Sequence, residues 1–396
     1  MDVLNERSHH LVRRGLVLSG GGARAAYQVG VLKAIADICP RGGKNPFPVI
    51  CGTSAGAINS ATLAIYGENF RDAVHRLLHI WRNFRTEQVF RADAGGVALS
   101  GAHWLLAMLL GGLGKRNPAA LLDRRPLVAL LEKYVPCERI GQSIEAGVLE
   151  SICITASSYS LGKSVIFYHS GQEVVPWKRA RRFGRPERIT NAHLLASSAI
   201  PFLFEAVRIG DDYYGDGSMR QTAPISPAIH MGADRILVIG VTNPPDDAMQ
   251  SQSQEEYPSL ARVAGHILNS IFIDSMEADI ERMRRINRTL SLIPRNKLDN
   301  ADVNLRQIDA LVIEPSEDIQ KIAARYQRDL PWAIRFLLRG LGAFDKEGSS
   351  LVSYLLFEKG FCRELIELGY QDAIGRRDEL HDFMDIPTPV PLADEA

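Results

Sequence analysis

The chain of 396 residues has no surplus charge of either sign: 46 Lys and Arg balance 46 Asp and Glu. A protein-wide field for nucleic acid is therefore absent, which leaves only local basic patches for such a role. Cysteine is scarce and scattered, at positions 39, 51, 137, 153 and 362. No CxxC pair exists, which excludes a zinc ribbon, and the odd, dispersed set fits reduced thiols better than a disulfide framework. The first residues, MDVLNERSHHLVRRG, contain no apolar stretch, so no signal peptide is visible and a cytoplasmic location is expected. Long apolar runs are also missing. Gly95–Gly114 carries no ionised residue, but its strongly apolar centre is only Trp104–Leu110, well short of the roughly 20 residues that a bilayer span needs. A buried or lid-like helix is expected there. No internal repeat is present.

What the chain does contain is alternation. Short apolar runs ending in glycine or a turn read as buried parallel strands: Gly15–Leu18, Pro48–Cys51, Ile152–Ala156, Ile236–Val241 and Leu311–Ile313. Val165–Tyr168 and Val207–Tyr214 read as less regular strands. Between them lie helical stripes, such as Val29, Leu32, Ile35 and Ala36, then Ala57, Ile58, Ala61 and Ala64. This order predicts an α/β fold with a mainly parallel central sheet. The polar stretch 243–258 reads as a linker. Beyond it, Ile273, Met276, Ile280, Met283, Ile286 and Leu290 form a helical stripe.

Two glycine-rich turns and one aspartate carry the chemistry. Leu16–Gly30, LVLSGGGARAAYQVG, places Gly20, Gly21 and Gly22 between a strand and a helix. The N–H groups of such a turn can hold a nucleotide phosphate or a reaction oxyanion. The dinucleotide reading requires an acid about 20 residues on, at the end of the second strand. That strand ends instead in Cys51-Gly52-Thr53-Ser54-Ala55-Gly56, and no GK[ST] follows to make a P-loop. The GTSAG pentapeptide is a GxSxG match between strand and helix, with small residues two positions either side of Ser54. There Ser54 is a candidate nucleophile, and the Ala55 amide a candidate oxyanion donor at a helix N-terminus. A serine needs a base. His230 reads as an ordinary helix histidine, whereas Asp216, between Gly215 and Gly217, sits in a tight turn suited to close approach.

In that order GGGARAAYQVGVLKAI, GTSAG and DGS, with ASSAIPFLFEAV at 196–207, resemble the patatin-like phospholipase family over about residues 14–245. The resemblance implies a three-layer α/β/α sandwich and a metal-free, cofactor-free Ser–Asp dyad of Ser54 and Asp216. It assigns Gly20–Gly22 to the oxyanion loop and Arg24 to that loop's arginine, with Gly52 and Gly56 in the nucleophile elbow and Gly217 and Ser218 in the aspartate turn. Two positions depart from the family pattern: Ala25 replaces a glycine, and Ser218 replaces Gly or Ala. The implied activity is hydrolysis of lipid carboxylic esters, of phospholipase A or lysophospholipase type. An acyltransferase using the same dyad and a non-catalytic membrane scaffold are the alternatives.

The expected organisation is a tail at 1–13, a catalytic domain at 14–245, a linker at 246–260, a mostly helical extension at 261–385 and a disordered end at 386–396. Three stretches are candidates for peripheral membrane contact: Trp104–Leu110, Pro331–Gly342 with its mixed aromatic, aliphatic and arginine composition, and the basic run Trp177–Arg188.

Overall fold

A computed structural model describes residues 12–93, 95, 120–242, 274–294, 305–340, 343–344 and 349–387. The linker at 246–260 and the Trp104–Leu110 segment lie outside the described residues. Among the described residues, nine strands form one sheet: β1 Arg14–Leu18, β2 Val49–Thr53, β3 Ser151–Ser158, β4 Ser164–Ser170, β5 Arg182–Pro186, β6 Val207–Ile209, β7 Asp212–Asp216, β8 Arg235–Ile239 and β9 Asp309–Ile313. The main order is β5-β4-β3-β2-β1-β8-β9. Pairing is parallel from β3 through β2, β1 and β8 to β9, and antiparallel where β3 meets β4 and β7. The run 207–214 is not one strand. Gly210 takes a left-handed φ of 61° and folds it into the β6–β7 hairpin.

Period-two alternation divides each central strand between two cores. On β1, Leu16 and Leu18 face one apolar cluster and Val17 the other. The first cluster packs beneath α1 Ala26–Ile38, α2 Ala55–Ile65, α3 Phe70–Arg82, α4 Arg125–Tyr134 and α5 Arg139–Glu145, with α6 Asn191–Ser197 beside them. The second packs beneath α7 Ser226–His230 and α8 Asp274–Ser291, whose Met276, Ile280 and Met283 are buried against it. Helices on both faces of a mainly parallel sheet make the expected three-layer sandwich.

The C-terminal helices are α9 Ile319–Tyr326, α10 Trp332–Gly340, α11 Ser349–Leu355, α12 Lys359–Gly375 and α13 Arg377–Met384. They are built into the same core. α12 lies on α1 at two facing glycines: a Cβ on Gly30 would collide with the Ile366 carbonyl, and one on Gly369 with the Tyr27 carbonyl. The basic run at 177–188 contains the edge strand β5, with Trp177 buried and stacked on Tyr168.

Candidate active site

The register of β3 brings the two candidate residues together. β2 ends at Thr53, opposite Thr155. At the next position, Ala156 is paired with Val165 of β4 on one side and with Asp216 of β7 on the other. β7 thus continues the lane that β2 leaves, and Asp216 stands beside the residue after Thr53. The Ser54 hydroxyl donates to Asp216 Oδ2 at 2.7 Å. They are separated by 162 positions in the chain.

Ser54 occupies a sharp turn between β2 and α2, with φ 54° and ψ −126°. A non-glycine residue in that region is strained by about 1–3 kcal/mol and persists only where the surroundings impose it. Here the surroundings do impose it. A Cβ on Gly56 would collide with the Leu18 and Ser19 carbonyls, so α2 and β1 can approach only because that residue is glycine. Gly52 and Gly217 are similarly enclosed, by Ser60 with Ala57 and by the Thr155 carbonyl. The Ser54 amide donates to Ser197 Oγ at 2.8 Å, and that hydroxyl donates to the Thr155 carbonyl at 2.6 Å. Ser197 is a supporting residue that the sequence reading missed. Its only signal was its place in the ASSAIP block, which gives no role.

Asp216 is 1% exposed and Ser54 2%. Oδ1 of Asp216 accepts the Ser218 amide at 2.9 Å, so the residue after Gly217 contributes through its backbone. Burial pushes the Asp216 pKa from 3.8 up to about 6, against the opposing pull of the Ser54 hydroxyl and the Ser218 amide. Among the described residues, no histidine bonds to either group. His230 bonds to Ser226 and packs on Trp177, beneath the opposite face of the sheet.

The glycine loop runs from β1 into a 3-10 turn at Gly22–Ala25. Gly22 is left-handed at φ 55°, and a Cβ there would strike the Tyr354 carbonyl. Ala25 has φ −65° and ψ −7°, ordinary right-handed geometry, which explains how alanine serves at that position. Among the described residues, the amides of Gly20, Gly21 and Ala55 donate to no acceptor, although all three residues are buried. Buried amides without partners are costly and uncommon. Arg24 does not line the cavity. It is buried, with Nε donating to Ser353 Oγ at 2.8 Å and its guanidinium 4.0 Å from the centre of the Tyr354 ring. It ties the glycine loop to α11.

From Ser54 an apolar cavity extends between α2, α3 and α4. Its walls include Ile58, Leu77, Trp81, Phe84, Leu127 and Ile200, and α11 and its continuation add Tyr354, Leu355 and Phe357. Trp81 is anchored by a buried chain of bonds. Its indole N–H donates to Asn59 at 2.9 Å, Asn59 donates to Gln28 at 2.9 Å, and Gln28 donates to the Ser19 carbonyl at 2.8 Å. A wall of the cavity is thereby tied to the peptide that opens the glycine loop.

Such a site offers a buried serine hydroxyl, a carboxylate within bonding distance of it, spare amides and an apolar chamber. A sequence model described as patatin-like phospholipase matches residues 16–229. No curated protein matches the chain. Among solved structures, VipD from Legionella pneumophila aligns over 93% of this chain and 67% of its own, at 11% identity and a TM-score of 0.34.

Proposed function

The chain belongs to the patatin-like phospholipase family, and from that membership we propose that it cleaves carboxylic esters of membrane lipids through an acyl-serine formed on Ser54, with Asp216 as base. Lipid acyl hydrolysis is the family's general chemistry. The finer reading rests on one observation: the 2.7 Å bond between Ser54 Oγ and Asp216 Oδ2 on a strained, buried elbow.

Asp216 accepts the Ser54 proton as Oγ attacks the ester carbonyl. A base near pH 6 does this better than an ordinary aspartate near 4. The carbonyl oxygen becomes an oxyanion, for which the spare amides of Gly20, Gly21 and Ala55 are the donors. One such donor contributes about 3–4 kcal/mol to the transition state. Collapse breaks the ester C–O bond, and the departing alcohol takes the proton from Asp216. Water then attacks the acyl-serine, Asp216 accepts its proton and passes it to Ser54 Oγ as the acyl C–O bond breaks, which restores the hydroxyl and releases the fatty acid. The acyl chain occupies the Ile58–Trp81–Leu127 cavity. No step uses a metal or cofactor.

Ser54→Ala and Asp216→Asn are each expected to lower esterase turnover by about 10⁴-fold. An active Asp216→Asn protein combined with an inert His230→Ala protein sinks the dyad. Acyl transfer is a second reading, favoured by the near-complete burial of Ser54, which limits water. Products formed in the presence of a lipid alcohol acceptor separate the two. The five free cysteines fit a reducing, cytoplasmic setting for this chemistry.

A further inference from the structure

Amphipathic surface helices ordinarily present polar and charged side chains to water. α10 does not follow that pattern. Ala333, Ile334 and Leu338 are buried, and Leu337 packs partly against the same core. At 100° per residue, Arg335, Arg339, Trp332 and Phe336 fall within about 100° of arc on the opposite side. Trp332 is 64% exposed and Phe336 75%. The outer face of the helix is thus two aromatic rings and two guanidinium groups, with no acidic side chain among them. Among the described residues, neither Arg335 nor Arg339 makes an ion pair.

We propose that this outer face of α10 docks the protein onto phospholipid bilayers carrying anionic headgroups. Large aromatic rings beside arginines suit the boundary between headgroups and acyl chains, where the rings bury and the guanidinium groups reach phosphate. Two guanidinium groups with no acidic partner among the described residues favour an anionic surface over a neutral one. The rationale rests on the lipid-hydrolase reading, because a lipid ester must be collected from a bilayer. The position in the chain agrees. Past the Leu338 carbonyl, which accepts the Ala343 amide at 3.0 Å, the chain enters α11. α11 lies against Gly22 through Tyr354 and supplies that wall of the cavity. Docking by α10 therefore places the bilayer next in sequence to the segment that bounds the nucleophile's chamber.

Binding is measured with the full-length Ser54→Ala protein, so that no lipid is consumed, by co-sedimentation with phosphatidylcholine vesicles with or without phosphatidylglycerol. The protein is expected to sediment with the anionic vesicles. Trp332→Ser/Phe336→Ser is expected to weaken partitioning at least about tenfold. Each of Arg335→Gln and Arg339→Gln is expected to weaken it about fivefold at low salt, an effect that high salt erases. Phe336→Ser alone gives the same readout should the double variant unfold. Absence of binding to either vesicle overturns the proposal, as does binding that all these substitutions leave unchanged. So does a dimer in solution that Trp332→Ser/Phe336→Ser converts to monomer, because a second copy would then cover the face. Binding is read on an inert chain, so loss of docking leaves the hydrolase reading standing. Vesicle binding by a wild-type chain without esterase activity leaves the docking surface standing.

Discussion

Replacing Asp216 with asparagine is expected to stabilise the protein while abolishing its activity. The carboxyl has a pKa near 3.8 when exposed and about 6 when folded, because burial disfavours its charged form. Above both values the folded protein must hold a charge that the unfolded chain holds more easily. The difference, about 2.2 pK units at 1.36 kcal/mol each, is a cost of about 3 kcal/mol. The sign follows from proton counting. Below about pH 4 both states are protonated and the cost is nil. Between about pH 4 and 6 the unfolded state releases its proton first, so stability falls as pH rises; above about 6 the loss is complete. Asparagine is nearly isosteric and neutral, can still accept the Ser218 amide, and can turn its NH₂ toward Ser54. It is therefore expected to gain about 3 kcal/mol over wild type near pH 8 and nothing near pH 3.5, or about 4 °C in melting temperature for a chain of this length. Urea unfolding of both proteins across that range measures this directly. The wild-type kcat/KM should meanwhile fall about tenfold per unit below pH 6, as the base becomes protonated. An asparagine variant less stable than wild type near pH 8, or a difference that does not change with pH, refutes the reasoning.

Gly22→Ala is expected to cut kcat by about 10²–10³-fold. Its Cβ requires a left-handed φ and meets the Tyr354 carbonyl, which displaces the donors of the loop. Steady-state kinetics with a soluble short-chain ester show this, and unchanged kcat counts against the assignment of the loop. Trp81→Ala is expected to destabilise by about 3–5 kcal/mol and to shift preference toward longer or bulkier acyl groups, because it enlarges the cavity. Comparison of kcat/KM across a series of acyl lengths checks this, with an unchanged profile as the contrary result.

The meeting of Ser54 with Asp216 was legible in the sequence because an elbow and a tight turn each demand glycines in fixed places around one polar residue. The strands were legible because buried parallel strands are continuous apolar runs, as in Ile236–Ile239. The β6–β7 hairpin was less so, because its two short strands look like one run until Gly210 reverses the chain. The role of Arg24 was not legible. Its partners Ser353 and Tyr354 lie some 330 positions away, and nothing local to GGGARA distinguishes a buried structural arginine from one that meets substrate. Ser197 was hidden for a related reason: it acts on a backbone amide, which leaves no mark on the residue type at position 54. The register that seats Asp216 beyond the end of β2 belongs to the pairing of β3 and has no local signature.

The late position of α11 has a consequence for how the enzyme comes into being. Ser54, the proposed nucleophile, and Asp216, the proposed base, are both translated before residue 349. The wall that closes the chamber, the tether for Arg24 and the helix that seats on α1 come only after residue 349. Domains form as their segments emerge from the ribosome, and contacts between distant segments form last. A nascent chain therefore carries both reacting groups long before it has a formed chamber around them. Timing built into the topology would leave the site incomplete until the segment after residue 349 has been made.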